Sequence, residues 1–537
     1  MADQALLTLE NLHFDNRFTR LLPADPQQGK QARQVFSACY SRVQPTSVSN
    51  PSLIIHAPDV AGQLGISSEL CQSDAFVQLF SGNQTLPGMD PHACCYGGHQ
   101  FGNWAGQLGD GRVINLGELI SPQNKRWMLQ LKGAGRTPYS RSADGLAVLR
   151  SSVREFLCSE AMFHLDIPTT RALSLILTGE QVMRDMFYDG HAALEPGAIV
   201  CRAAPSFTRF GSFQIFASRG DTATLKALLD HTITTDFPHL GAPNQTSYVQ
   251  CFEAICQSTA ELMVDWMRVG FVHGVMNTDN MSVLGLSIDY GPYGWLEDYN
   301  PDWTPNTTDK AMHRYCYGQQ AAIAGWNLAR LAEAILPLIG DAKALQQALN
   351  NYSTIYNTLW QNMMADKLGL QCFEPQTDTV LIDELQRILS LCETDMGIFY
   401  RKLAMLDATQ SLEKTNDSEL MRPILDAYYK PDEIKPDTQQ QIANWLRSYI
   451  LRLQQDGRSN AARKQHMNRH NPKYVLRNYL VQIAIDQAAM GDYSEIHRLY
   501  QVIQRPYDEQ PAFESYAAKR PEWARNRAGC SMLSCSS

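Results

Sequence analysis

Asn280 and Asp289 offer oxygen atoms of the kind a hard divalent cation takes, and only the largely apolar run 281–288 separates them. Mg²⁺ completes such a shell with phosphate oxygens and water. Asp279, next to Asn280, adds a carboxylate that could accept a proton. Upstream, Lys132 ends a run that alternates as a strand, and Glu155 lies in a stretch with helical periodicity. On a helical wheel Glu155 shares a face with Val148 and Met162, where an unpaired carboxylate would be costly to bury, so Lys132 is its natural partner. Each piece also has a plainer reading. Asp279 and Asn280 suit a turn cap, Asp289 a strand end, Lys132 the surface, and Glu155 a solvated helix face.

The spacing sharpens the first reading. In His273-Gly274-Val275-Met276-Asn277-Thr278-Asp279-Asn280 the histidine stands seven residues before the asparagine, as in the kinase catalytic loop H-R-D-x-x-x-x-N. Asp289-Tyr290-Gly291 resembles the D-F-G metal motif. The usual catalytic aspartate is missing, because its position is Val275. A site of this kind would need Asp279 to take the proton from a new direction.

Other residues are placed to meet phosphates. Gly109-Asp110-Gly111-Arg112 precedes a strand-like run over 112–120 and lies about twenty residues before Lys132, as a phosphate-covering loop should. Alone, G-x-G is as easily an ordinary turn. Asp144-Gly145 opens the predicted helix 147–165, either as an N-cap or as a ligand contact. Arg202 and Arg209 suit bidentate phosphate contacts, though surface arginines are common. His92 and His99 read as turn or packing histidines.

The elements that must hold these groups follow from periodicity. Residues 1–90, rich in Pro, Asn and Ser, read as an extended segment wrapped on the core. Residues 91–200 give a β-rich lobe with the Gly-rich loop, the Lys132 strand and the Glu155 helix. Residues 201–404 give a helical lobe, with helices expected over 246–269, 321–338 and 379–403 and the metal loop between the first two. Residues 405–520 form a helical extension, and 521–537 a mobile tail. The fold class is therefore α+β: a small mixed lobe and a larger helical lobe with a ligand between them.

Composition narrows the classes. The 537 residues are 44% hydrophobic and 19% charged, as in an ordinary globular enzyme. A net charge of −9 argues against a mainly nucleic-acid-binding protein. The basic stretch 458–477 is then read as a solvated or inter-lobe surface. No basic-then-apolar leader and no run of about 18 apolar residues is seen, so a cytoplasmic, membrane-free protein is expected. The 13 cysteines follow no framework and no zinc spacing, which suits a reducing compartment. No coiled-coil seam is seen, and a monomer is expected.

Several long segments resemble the SelO family, also called selenoprotein O or YdiU. They include Arg42-Val43-Gln44-Pro45-Thr46, Gly98-His99-Gln100-Phe101-Gly102, Gln130-Leu131-Lys132-Gly133-Ala134-Gly135, Arg150-Ser151-Ser152-Val153-Arg154-Glu155-Phe156-Leu157, Ile288-Asp289-Tyr290-Gly291-Pro292 and the run from Asn471 to Leu480. The resemblance implies a protein-kinase-like bilobal fold that binds ATP reversed and moves AMP onto Ser, Thr or Tyr of proteins. Transfer of UMP from UTP with Mn²⁺ is also attributed to the family. It implies that Gly109, Gly111, Arg112, Lys132, Asp144, Gly145, Arg202 and Arg209 line the nucleotide. Asp279 would be the proton acceptor, with Asn280 and Asp289 as ligands of Mg²⁺ or Mn²⁺. The chain departs from the family at Leu146, where Arg is frequent, and in its tail. There Cys535 stands third from the end and Cys530, not residue 532, is its nearest possible redox partner. The rival readings are a conventional kinase transferring the γ-phosphoryl group, a nucleotide-binding scaffold, and a redox protein acting through Cys535.

Overall fold

The computed structural model describes residues 8–534. Twelve strands are named here in chain order: β1 (His13–Phe14), β2 (Tyr40–Arg42), β3 (Ser52–His56), β4 (His92–Cys94), β5 (Gly97–Gln100), β6 (Asn103–Gln107), β7 (Val113–Ile120), β8 (Arg126–Lys132), β9 (Arg171–Arg184), β10 (Ala193–Ala204), β11 (Phe271–Val272) and β12 (Gly294–Trp295). The main sheet is antiparallel, in the order β2-β4-β7-β8-β10-β9-β3, with β1 added to the β7 edge. In its centre Val113 and Val200 flank Lys132, and Asn115 and Arg202 flank Gln130. Side chains alternate across a strand, so Gln130 and Lys132 share a face while Leu129 and Leu131 enter the apolar core on the other.

The strands expected over 112–120 and 127–132 are β7 and β8. The helix expected over 147–165 is Leu149–His164. It starts after Val148, so Asp144 is not its N-cap. The apolar face of that helix packs on β9 and β10, and helices Asn478–Ala489 and Ser494–Ile503 brace it from the other side. Phe156 meets Tyr500 there, with ring centroids 5.8 Å apart. The late part of the chain thus supports the helix that carries Glu155.

Two expectations change. The stretch up to residue 90 is less extended than its composition suggests: it forms helices Pro58–Leu64, Ser68–Cys71 and Asp74–Phe80, and its β2 and β3 belong to the main sheet. The single helix expected over 379–403 is two, Pro375–Leu389 and Met396–Leu403. Asp395 caps the second by accepting from the Ile398 amide at 3.0 Å, and Arg477 pairs with the same buried carboxylate at 2.7 Å.

Gln245–Val269 is a 25-residue helix. Asn244 and Ser247 form its capping box, and Gly270, at φ 76°, ends it in the left-handed region. The chain then enters β11, which pairs with β12. This two-residue ladder pins both ends of the loop 273–293. Among the described residues one helix, Tyr317–Ile339, is long and apolar enough to cross a membrane by composition alone, which the sequence reading did not foresee. Its Ile323, Leu328, Leu331 and Ile335 lie in the core, and buried Asn327 donates to the Met276 carbonyl at 2.9 Å. The basic stretch 458–477 is partly internal: Arg463 is fully buried on the Leu403 and Leu406 carbonyls, and Lys473 joins Glu509 and Glu514.

Candidate active site

Lys132 lies at the end of β8, and its Nζ donates to Glu155 Oε2 at 2.5 Å. Glu155 is buried and takes a second cation, Arg202, at 2.9 Å on its other oxygen. Arg202 continues to Asp289 Oδ1 at 2.6 Å and to Gln130. Arg209 pairs with Asp289 Oδ2 and also donates to the Asp279 carbonyl at 2.7 Å. Lys132 Nζ stands 3.8 Å from Asp289. Burial pushes the Asp289 carboxyl up, but Arg209, Arg202 and Lys132 outweigh it and hold it well below the carboxylate range. Burial pulls the Lys132 ammonium below its ordinary value, against the attraction of Glu155. Asp289 itself has φ 59°, a left-handed conformation that Asp tolerates better than most residues.

The loop 273–293 owes its shape to packing. His273 is buried, stacks on Trp266 with ring centroids 5.3 Å apart, and bonds the Ile288 carbonyl at 2.9 Å. Gly274, at φ 76°, passes so close to Pro292 that a Cβ would lie 2.3 Å from its carbonyl oxygen. Asn280 donates its amide to the Val275 carbonyl at 2.9 Å, which leaves its oxygen for a ligand.

Asp279 is different from Asp289. Its Oδ2 accepts from Gln100 at 3.3 Å, and its Oδ1 is buried without a hydrogen-bond partner. Burial raises its pKa to about 6, against the pull of Arg209. A buried, under-satisfied carboxylate poised near neutral pH is what proton abstraction requires. Gly98 makes room for it, since a Cβ there would sit 2.7 Å from Asp279 Oδ1. Gly98→Ala should therefore leave the fold intact and cut activity roughly 100-fold, a typical cost of misplacing a reacting group. Steady-state rates alongside circular dichroism check this.

These groups open on a cavity of about 730 Å³. Gly109, Gly111, Arg112, Lys132, Asp144, Gly145, Arg209, Asp279, Asn280 and Asp289 all line it. Arg202 does not: it lies behind the wall, spent on Glu155, Asp289 and Gln130. The structure thus sets Arg202 just behind the cavity lining, between buried Glu155 and half-buried Asp289. Asp144 lines the cavity while paired with Arg184 at 2.7 Å. Gly109, at φ 76°, presses on Tyr139, where a Cβ would meet the ring at 2.4 Å. His92, buried against Phe18 and Tyr40, and His99, against Trp104 and Trp326, are packing residues. Cys530 is buried and its thiol is pushed up to about 11 by burial, while Cys535 lies outside the described residues.

The sequence reading missed several wall residues. Arg136, Arg141 and Arg184 bring the cationic lining, with Arg112, Lys132 and Arg209, to six side chains against three carboxylates, Asp144, Asp279 and Asp289. In a chain of net charge −9 this local excess marks a polyanion site. Arg136 and Arg141 in the Gly-, Pro- and Ser-rich loop after Lys132 were the available signal. Asp110 was also missed. It is buried, accepts from the Cys94 amide at 2.8 Å and stands 4.0 Å from Arg209, so it orients that arginine from behind.

Comparison with known proteins gives the family. The family described as "Protein adenylyltransferase SelO" matches residues 27–504. A "Protein nucleotidyltransferase YdiU" from Rhodopirellula baltica is 56% identical, covering 98% of this chain and 99% of its own. Proteins of the same name from an Azoarcus species and from Methylobacillus flagellatus are each 54% identical over 98% of this chain, and over 99% and 100% of their own. The cavity, its cationic wall and these relatives lead to one conclusion: the chain belongs to the SelO family and is a nucleotidyltransferase.

Proposed function

We propose that the protein transfers AMP from ATP to Ser, Thr or Tyr hydroxyls of other proteins and releases pyrophosphate. The observation that carries this is Asp279: a buried carboxylate with one unpartnered oxygen, facing a cavity walled by six cations. The adenylyl group is the one named by the matching family. In the reaction, Asp279 takes the proton of the acceptor hydroxyl. The hydroxyl oxygen bonds the α-phosphorus, and the bond from that phosphorus to the β-bridging oxygen breaks. Pyrophosphate leaves with the electron pair, its charge met by Lys132, Arg112 and neighbouring arginines.

Val275, in the place of a kinase's catalytic acid, fits a reversed nucleotide with the base on another side. The donor set fits a hard cation: Asn280 and Asp289 line the cavity, the Asn280 oxygen is left open, and the Asp289 oxygens, each held by an arginine, keep further lone pairs. Mg²⁺ or Mn²⁺ held by them would neutralise phosphate oxygens and stabilise the leaving group. The kinase-like two-lobed arrangement belongs to the same proposal. Its support is that β7, β8 and the Gly-rich loop form one wall and the loop 273–293 the other. The division of the chain at 90, 200, 404 and 520 belongs to this proposal too, with residues 1–90 joined to the main sheet by β2 and β3 and the described part of the tail docked through Leu533, as does a cytoplasmic monomer acting on protein substrates.

ATP labelled separately at the α- and γ-phosphates decides between this and a conventional kinase. Label should enter acceptor protein from the α-position only. Entry from the γ-position alone would overturn the proposal. Running α-labelled UTP with Mn²⁺ beside it measures the nucleotide preference, and no transfer from either position would favour a scaffold.

A further inference from the structure

Away from the cavity, helix Asn460–His470 carries His466 and His470 four residues apart, hence on one face. Their ring centroids are 4.5 Å apart. Both turn toward Asp366, in the last turn of helix Ala342–Leu368. His466 Nε2 lies 2.9 Å from Asp366 Oδ1, and His470 Nε2 lies 3.7 Å from Asp366 Oδ2. One ligand atom from each residue falls within 4.8 Å of the others. Two ligands of a tetrahedral zinc ion sit roughly 3.3 Å apart, from bond lengths near 2.0–2.1 Å. The two measured separations bracket that spacing.

A second observation points the same way. His470 Nδ1 lies 3.0 Å from the His466 carbonyl, which can only accept. The ring proton of a neutral His470 is therefore on Nδ1, and Nε2 presents a bare lone pair to a carboxylate. Two acceptors then face each other until a proton or a metal ion joins them. The same Nδ1–H to carbonyl bond is what fixes ring orientation and tautomer in metal-ligating histidines. All three side chains are between 28% and 39% exposed, so an ion can enter and water can fill a fourth position. Arg458 is the positive neighbour that binding must overcome.

We infer that Asp366, His466 and His470 form a site for a first-row divalent metal of zinc type, separate from the oxygen-ligand site of Asn280 and Asp289. Two imidazoles and one carboxylate favour zinc over magnesium. The bound ion would clamp helix Asn460–His470 to helix Ala342–Leu368, where Asn471 already donates to the Lys367 carbonyl at 3.0 Å. The sequence shows only H-x-x-x-H. Its third ligand lies 100 residues away from His466, which is why cysteine and histidine spacing did not reveal it.

Calorimetric titration of the full chain with ZnCl₂, with Mg²⁺ in excess, tests the site. One equivalent should bind, and the midpoint of thermal unfolding should rise. His466→Ala/His470→Ala, which removes two of the three ligands, should lose that equivalent. Asp366→Asn serves as a second variant should the first fail to fold. Co²⁺ should give visible absorption without a thiolate charge-transfer band. No binding by the unaltered protein, equal binding by folded variants, or a thiolate band would each overturn the inference.

Discussion

Asp279→Asn should reduce nucleotidyl transfer about 1,000-fold, within the range expected for loss of a general base, and make the protein more stable. The two effects have one cause. In the folded protein burial holds this carboxyl at about 6, above its value in the unfolded chain. The penalty therefore falls on the ionised form: it is absent below about pH 4, grows between, and is complete above about pH 6. At neutral pH it amounts to about 1–3 kcal/mol. Asparagine removes the charge at nearly equal volume. The thermal midpoint at pH 7.5 should rise by about 1–3 °C for a chain of this length, and the gain should vanish near pH 4. The pH profile of kcat/KM should fall tenfold per unit below pH 6 in the unaltered protein. In the variant that limb should be gone. An Asn variant that is inactive but less stable would mean that Asp279 is a structural residue.

Asp289→Ala should abolish transfer and destabilise the protein, the opposite sign from Asp279→Asn. Asp289 offsets Arg202 and Arg209, both buried, and assists Lys132. Without it Glu155 alone faces two close cations, with Asp110 at 4.0 Å from Arg209. Breaking a buried pair from one side costs about 3–5 kcal/mol, and the partial exposure of Asp289 to the cavity brings this toward the lower end. Arg209 also holds the Asp279 carbonyl, so its release loosens the proton acceptor as well. Differential scanning calorimetry should show a lower midpoint, and ATP should no longer raise it. An unchanged midpoint would mean that solvent screens the cluster far more than its burial implies.

The contrast between these two aspartates was only half legible in the sequence. Spacing alone brought Asp279, Asn280, Asp289, Lys132 and Glu155 together, because each belongs to a short segment with a fixed local geometry. It could not tell which carboxylate would be paired, since Arg202 and Arg209 reach Asp289 through β10 and the turn after it. That strand was itself unread. In its neighbour β9, residues 172–177 are apolar apart from Ser174, a pattern that fits a buried strand or a buried helix equally. Pro196 and Gly197 then argue against a strand in 193–204, and the structure accommodates them with a register shift between Pro196 and Ala198. Similarly, Asp395 was a readable N-cap inside the supposed helix 379–403, overlooked because the apolar periodicity ran through it.

The pairing of β3 with β9 has a consequence during synthesis. Ser52–His56 leaves the ribosome long before its sheet neighbour, Arg171–Arg184, exists. At roughly 5–20 residues per second the gap is about 6–23 s, and the loop 273–293 around Asp289 follows later still. For that interval an apolar strand, Leu53-Ile54-Ile55, waits with an open edge. The nascent chain is thus most exposed to mispairing before its nucleotide site exists. Chaperone capture of ribosome-bound fragments should peak at lengths that include β3 and stop short of β9.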